Sequence, residues 1–422
     1  MNLYTEAGGL FGTHVTWSDI EGDMQRELNT TASFGPNKSA TDIGEDSGFM
    51  SKVLLIEPDW QHRDKEVPEK FVVKILTQLA LQKLSTEVAG PMNVKNVCNI
   101  PEYRASLETR LKKCHNAEVT VYNHLLKLPE GKMNFLKIYH MKKFTDSNPL
   151  KGYIIMEHIE NTISVHFYEL LTPDEVKQIL RNTAVLEATS LNFTLEEKSQ
   201  LTESFKAFYA QFFSTETMEA TMTVIRKFEN GKFEEKAACL EKIVSDLSDL
   251  SRADSLSEEC GMDRVLCHGD LWSMNTLWRL EENGLSLAAL IDYQAAHLGC
   301  AGTDFVRLFV TCLSGKHRRA YWEELLKVFY GFLLEELGGR KASYTLEQLK
   351  ESYRRFFPIG GFMALSMIGP LFKVFFKYPN EELRKNCLEI VCEKIDFILD
   401  DIFYYHDRNT RIRNRKKVEH IA

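Results

Sequence analysis

Residues 265–294 read VLCHGDLWSMNTLWRLEENGLSLAALIDYQ, and within them His268, Gly269 and Asp270 precede Asn275 and then Asp292. Asn283-Gly284 lies between two apolar stretches and is a favoured two-residue hairpin loop, one in which both central residues take positive φ. With that pair as the loop, Asn275 falls opposite Asp292 on one face, with Cβ atoms roughly 4.5–5.5 Å apart. The other face, Trp278, Leu280, Leu287, Ala289 and Ile291, reads as core. Mg²⁺ is commonly held by one or two protein oxygens while phosphates and water complete its shell, so an amide and an acid at a hairpin mouth suit a metal-bound phosphate. Asp270, in the loop entering the hairpin, is placed to accept or orient a hydroxyl proton. Singly, these residues also read as a capped turn, a strand edge and a solvated carboxylate; their joint spacing favours the chemical reading.

A phosphoryl-transfer site of this kind calls for a lysine on an early strand and a glutamate on the next helix. The stretch EKFVVKIL predicts a strand with Lys74 in its middle, and a lysine there needs an anion. In ETRLKKCHNAEVTVYNHLLKL an apolar stripe of Leu111, Cys114, Val121, Tyr122 and Leu125 predicts a helix, with Glu118 on the same stripe. The alternative is a snorkelling Lys74 and a rim Glu118. Upstream, TDIGEDSGFMSKVLLIEP places Gly44 and Gly48 between strand-like stretches. Backbone N–H groups of Ser47, Gly48, Phe49 and Met50, with the Ser51 hydroxyl, can cradle phosphates there. A plain glycine-containing hairpin is the default reading, since neither a Walker pattern nor G-x-G-x-x-G is present. Tyr153 to Met156 reads as a buried strand and Glu157, His158 and Ile159 as a connector with an exposed backbone edge for an adenine; a core strand fits equally.

In this order, Lys74, Glu118, His268-Gly269-Asp270, Asn275 and Asp292 resemble the aminoglycoside phosphotransferase and choline kinase group of kinase-like enzymes. The stretches ASFGPNKSATDIGEDSGFMSKVLLIEPDW, CHGDLWSMNTLW and IDYQAAHLGCAGTDFVRLF are similar to the choline kinase-like, ecdysteroid kinase-like family in its nematode-expanded branch. The resemblance covers roughly residues 10 to 405. It implies an α+β, two-lobed protein-kinase-like fold: a small N-terminal lobe with an antiparallel sheet and a helix, and a larger, mostly helical C-terminal lobe. It also implies ATP with Mg²⁺ and transfer of the γ-phosphate to a hydroxyl of a small molecule. Asp270 matches the catalytic aspartate, Asn275 and Asp292 the metal ligands, Lys74 the phosphate lysine, Glu118 its partner and His268 the structural histidine of the catalytic loop. Where protein kinases carry Asp-Phe-Gly this chain has Asp292-Tyr293-Gln294, which argues against a protein substrate. Thr303 is the expected cap of the helix that follows, and the resemblance gives Asp304 the role of bracing the catalytic loop.

Composition agrees. The 422 residues, 44% hydrophobic and 27% charged, suffice for one large or two ordinary cores, and a formal charge of −8 argues against broad nucleic-acid binding. No stretch suits membrane insertion, the first residues lack a basic start and apolar core, and nine cysteines without C-x-x-C spacing suggest reduced thiols and a cytoplasmic protein. Cys267 reads as a small core residue. The expected lobes are 1–156 and 157–405, followed by a basic tail, 406–422, read as a solvated or frayed terminus with nuclear or acidic-membrane contact as the alternative. Ser18 and Glu21 suggest a capping box for the first helix, and Thr172, Pro173 and Glu175 another. Helical periodicity runs through Phe205 to Phe213, Tyr321 to Leu337 and Leu383 to Phe403. Residues 61–69 and 91–99 read as loops. Phe356, Phe357, Phe362, Met363, Met367 and Phe372 form either core or an apolar acceptor wall. The acceptor hydroxyl is then sterol-like, aryl, on a sugar conjugate or on an amino alcohol. A catalytically silent nucleotide- or lipophile-binding pseudokinase is the alternative, and a protein kinase the third reading. Oligomeric state is not legible.

Overall fold

The computed structural model of the chain describes residues 2–44, 50–79, 101–202, 205–368 and 380–419. They form two compact units, Met1–Leu128 with Phe135–Asn161, and Pro129–Asn134 with Thr162–Ala422.

The first unit opens on helix α1 (Trp17–Leu28), capped by Thr16 rather than Ser18: the Thr16 hydroxyl accepts from the Asp19 N–H while the Asp19 carboxylate accepts from the Thr16 N–H. Glu21, the expected box partner, instead accepts from the Phe34 N–H at 2.6 Å. Strands β1 (Ser39–Asp42), β2 (Ser51–Glu57) and β3 (Phe71–Leu76) follow, then helix α2 (Pro101–Leu125) and strands β4 (Ile138–Lys142) and β5 (Tyr153–Glu157). The sheet is antiparallel with order β1-β2-β3-β5-β4. Period-two alternation divides β3 between two cores. Phe71, Val73 and Ile75 join Ile20 and Met24 of α1, whereas Leu76 joins Leu107 and Leu111 of α2. Lys74 therefore leaves β3 on the α2 side. The segment 61–69 is largely exposed but buries Val67, and 91–99 lies outside the described residues.

The second unit contains β6 (Thr162–Ser164), α3 (Pro173–Thr189), β7 (Val265–Cys267), β8 (Thr276–Glu281), β9 (Gly284–Leu290), β10 (His297–Gly299) and helices α4 (Gly302–Cys312), α5 (Gly315–Leu337), α6 (Leu346–Ser366) and α7 (Glu381–Glu419). Short helical segments, including Phe205–Tyr209 and the tighter turn Ala210–Phe213, fill the stretch before β7. Strands β6, β8 and β9 form one antiparallel sheet in that order, and β10 pairs with β7. Helix α3 begins on the expected box, Thr172 with Glu175 and Pro173 in its first turn. It seals the outer edge of β9: the Gln178 amide donates to Leu285 O and accepts from the Leu287 N–H, both at 2.9 Å. On the same edge the Asn134 amide donates to Leu287 O at 2.8 Å, which ties residues 129–134 to this unit.

The hairpin differs from expectation in register. Glu281 pairs with Gly284, so Glu282 and Asn283 form the turn, and Trp278 faces Leu287. The type I′ loop is absent because Gly284 alone takes positive φ, +123°, one residue after the turn. A bulge at Ala288 then shifts the pairing, Leu277 facing Ala289. Asn275 consequently lies opposite Ile291, whose N–H donates to Asn275 O at 3.0 Å, and not opposite Asp292. Trp278, Leu287 and Ala289 are buried as expected, but Leu280 is 78% exposed because the hairpin tip projects past the core.

Two further expectations change. Thr303 does not cap α4; its hydroxyl donates to Cys300 O from inside the first turn, and the cap position is Ala301. Among the described residues the basic stretch after residue 405 is helical rather than frayed, since α7 runs on to Glu419, while Arg411, Asn414 and Arg415 are solvent-exposed as expected. Arg408 pairs with Glu351 at 2.6 Å, and the buried Asn409 amide donates to Arg354 O and Arg355 O, docking the helix on α6.

Candidate active site

In the first unit, Lys74 Nζ lies 2.8 Å from each oxygen of Glu118, and both side chains are buried. Two elements set this meeting. Lys74 is held in register between Val53 of β2 and Ile154 of β5. Helix α2 is fixed along β4: His115 Nε2 donates to Lys142 O at 2.9 Å, and Asn116 donates to Phe144 O while accepting from the Phe144 N–H. Burial pushes the His115 ring down to about 4, so that it is neutral at physiological pH. The apolar stripe expected for α2 is buried, with Glu118 in line with Leu111, Cys114, Tyr122 and Leu125.

Of the other nucleotide-site candidates, Ser47, Gly48 and Phe49 lie outside the described residues. Met50 O accepts from the Thr77 N–H, and Ser51 is buried at the start of β2 opposite Leu76. Glu157 ends β5, its N–H donating to Lys137 O at 2.9 Å and its carboxylate accepting from the Lys137 N–H at 2.6 Å. His158 carries a buried Nδ1 without a hydrogen-bond partner, and Ile159 follows half-buried.

In the second unit, β7 delivers the chain into the loop His268–Asp270, which is anchored at almost every polar atom. The Asp304 carboxylate, in the first turn of α4, accepts from the His268 N–H at 2.7 Å and the Gly269 N–H at 2.9 Å. Burial pushes that carboxyl up to about 7, with the two N–H donors pulling the other way. His268 is fully buried beside Tyr293; its Nδ1 accepts from the Asp270 N–H at 3.3 Å and its Nε2 donates to Ile291 O at 3.0 Å. A fixed donor on one ring nitrogen and a fixed acceptor on the other define a neutral imidazole protonated on Nε2. Burial lowers its basicity in the same sense. Gly269 has φ +79°, and a Cβ there would meet Ala295 O at 2.0 Å, so only glycine fits the bend.

This bend presents Asp270 to Asn275. The Asn275 amide nitrogen donates to Asp270 O at 2.8 Å and to Asp270 Oδ2 at 3.0 Å, which turns the remaining amide oxygen into the atom the residue can offer a cation. Asp292 stands one residue beyond the Asn275–Ile291 pairing in the left-handed conformation, φ +67°, which aspartate tolerates better than most residues. Bulge and left-handed residue together re-aim this side chain after the ladder ends. Cys267 is a buried small residue as expected, its thiol pushed well up by burial.

Two residues escaped the sequence reading. Arg307 Nη2 pairs with Asp270 Oδ1, and Tyr209 donates its hydroxyl to Gly269 O. Arg307 had a usable signal, since a lone charge in the apolar run VRLFVTCL needs an anion; Tyr209 had none. A small pocket beside the loop is lined by Phe205, Gly269, Asp304, Arg307, Phe356 and Met363. The expected apolar wall thus divides. Phe356 and Met363 face the pocket, Met367 touches Arg307, Phe357 and Phe362 pack in the core against Tyr405 and Phe213, and Phe372 lies outside the described residues.

A family model described as "Uncharacterized oxidoreductase dhs-27" matches residues 3–410. The Caenorhabditis elegans protein of that name is 24% identical over 331 residues, 76% of this chain and 38% of that protein. The "Uncharacterized kinase-like protein D1044.1" of the same organism is 30% identical over 156 residues, 36% of this chain and 40% of that protein. The chain thus spans well under half the length of these relatives. Among solved structures, choline kinase from Cryptosporidium parvum is similar with a TM-score of 0.46 and 12% identity, over 90% of this chain and 91% of that one. The GDP and kanamycin complex of APH(2")-IIia gives 0.43 and 13%, over 91% and 98%.

Proposed function

The chain belongs to the family described as "Uncharacterized oxidoreductase dhs-27", and within it we propose that this protein is an ATP-dependent kinase acting on a hydroxyl group of a small molecule. The observation that carries the reading is Asp270 held by the Asn275 amide on a loop braced by Asp304, with Asp292 at the hairpin end. The word oxidoreductase names a relative of which this chain spans 38%, and the dinucleotide fingerprint G-x-G-x-x-G occurs nowhere in the sequence.

The residues fit ATP and Mg²⁺. Lys74, buried and aligned by Glu118, is a cation pre-set for phosphate oxygens, and the orphaned His158 Nδ1 offers a polar atom to a base. The Asn275 oxygen and the Asp292 carboxylate are hard ligands for Mg²⁺, which when bound neutralises phosphate charge. Asp270 orients the acceptor hydroxyl and receives its proton as the new O–P bond forms and the bond to ADP breaks. Because that transition state is loose, alignment is the main demand on the protein.

On the acceptor side, the apolar Phe205, Phe356 and Met363 that line the pocket favour a hydroxyl on an apolar body, sterol-like, aryl or a sugar conjugate of one. Cytoplasmic residence belongs to the same proposal, supported by eight free cysteines among the described residues. The test is a metabolite extract incubated with γ-labelled ATP and wild-type or Asp292→Ala protein. Labelled product is expected with the wild type alone. Equal labelling by the variant overturns the metal role, and binding of MgATP without transfer favours the silent pseudokinase.

A further inference from the structure

We infer that Arg307 is a positioning residue for phosphoryl transfer: it fixes the carboxylate of Asp270 in the plane from which that acid meets the acceptor hydroxyl. The inference rests on the reading of Asp270 given above and adds a residue to it. Arg307 stands three residues after Asp304 on α4, so one helix face carries both side chains. Asp304 fixes the loop's backbone and Arg307 fixes the acid that the loop presents.

With Asn275 on Oδ2 and Arg307 on Oδ1, each carboxylate oxygen has one fixed donor. A carboxylate oxygen accepts two hydrogen bonds, so each retains one direction for an incoming hydroxyl, and neither side-chain torsion of Asp270 is left to turn. The guanidinium is itself confined. Its Cζ lies 5.5 Å from the Trp272 ring and 5.7 Å from the Tyr209 ring, and Met367 Sδ is 3.9 Å from Nη2. Tyr209 in turn is bonded to Gly269 O, so the same aromatic ring steadies both loop and arginine.

Stability does not account for this arrangement. Arg307 Nε is buried without a hydrogen-bond partner, an arrangement that disfavours the folded state, and apolar residues of similar volume often serve as well as a buried ion pair. What the arginine supplies is geometry, and a loose transition state responds to geometry. A misplacement of about 1 Å costs on the order of 100-fold in rate.

The test compares Arg307→Met and Arg307→Lys with the wild type, using MgATP with water as the acceptor and ADP release as the readout, together with crystal structures of the variants. Arg307→Met is expected to lower kcat by roughly 10- to 100-fold with KM for MgATP unchanged, and Asp270 should turn away from Asn275 in its crystal structure. Arg307→Lys, which restores a charged donor, should recover most of kcat. The inference is overturned if Arg307→Met turns over like the wild type, if Asp270 keeps its place without the arginine, or if lysine rescues nothing. Should the methionine variant fail to fold, Arg307→Gln makes the same comparison. A wild type that binds MgATP but transfers phosphate neither to water nor to any hydroxyl of a metabolite extract sinks the kinase reading instead, and the position of Asp270 in the variant crystals then decides the role of Arg307.

Discussion

Glu187 of α3 shows how one buried carboxyl can shape the pH response of this protein. Tyr344 places its hydroxyl oxygen 2.8 and 2.7 Å from the two Glu187 oxygens. A phenol has one proton, so it donates to one oxygen; the second short contact is a hydrogen bond only if the carboxyl is protonated and donates back. Burial pushes this carboxyl from 4.5 up to about 8, in agreement. A raised folded value means that Glu187 favours the folded state fully below pH 4.5 and that this contribution is lost as pH rises to about 8. Glu187→Gln, which cannot ionise, should gain stability over the wild type by roughly 1.4 kcal/mol per pH unit across that window. Urea midpoints at several pH values measure the difference, and parallel curves for the two proteins would refute it. Neither Glu187 nor Arg307 was assigned from the sequence, because each owes its role to a partner far along the chain: Tyr344 is 157 residues away from Glu187 and Asp270 is 37 from Arg307.

Strand β3 was legible because a short, almost wholly apolar run reads as a strand buried on both faces, and helix α2 because its apolar stripe recurs with the 3.6-residue period. Lys74 and Glu118 are the charged members of those two buried sides, and that is why they meet. Their pairing yields a prediction about the two elements. Lys74→Met leaves Glu118 buried without its cation and should destabilise by about 3–5 kcal/mol, while Lys74→Met with Glu118→Leu should regain much of that loss. Both variants should lose nucleotide affinity in an ATP titration. A double variant no more stable than the single would show that the pair is not coupled, and a single variant binding ATP like the wild type would remove Lys74 from the phosphate site. The β8–β9 hairpin was legible as a hairpin but not in register. Asn283-Gly284 signals a turn without specifying which two residues occupy its centre, and burial on β9 accommodates a bulge at Ala288 that no periodicity predicts.

Ligand binding extends the kinase reading to the stability of the whole chain. A ligand bound only by the folded state stabilises it by about 2.7 kcal/mol at 100 times its Kd. ATP with Mg²⁺ should therefore raise the melting temperature of the wild type more than ATP alone, and Asp292→Asn should abolish the increment due to Mg²⁺. An equal increment in the variant would exclude Asp292 as a metal ligand. Residue type, order and local period were enough to mark strand β3, helix α2 and the helical second unit and to suggest the Lys74–Glu118 pair, since these follow from which residues must leave water. The antiparallel sheet and the role of the loop that carries Asp270 were implied by the family resemblance. Packing settled the rest: the residue facing Asn275, the left-handed Asp292, the docking of α7 past residue 405, and the seating of Arg307 and Tyr209 around the loop. Those features depend on where separate elements come together and on which polar groups remain to be satisfied there, and a pattern read along one chain carries neither distance.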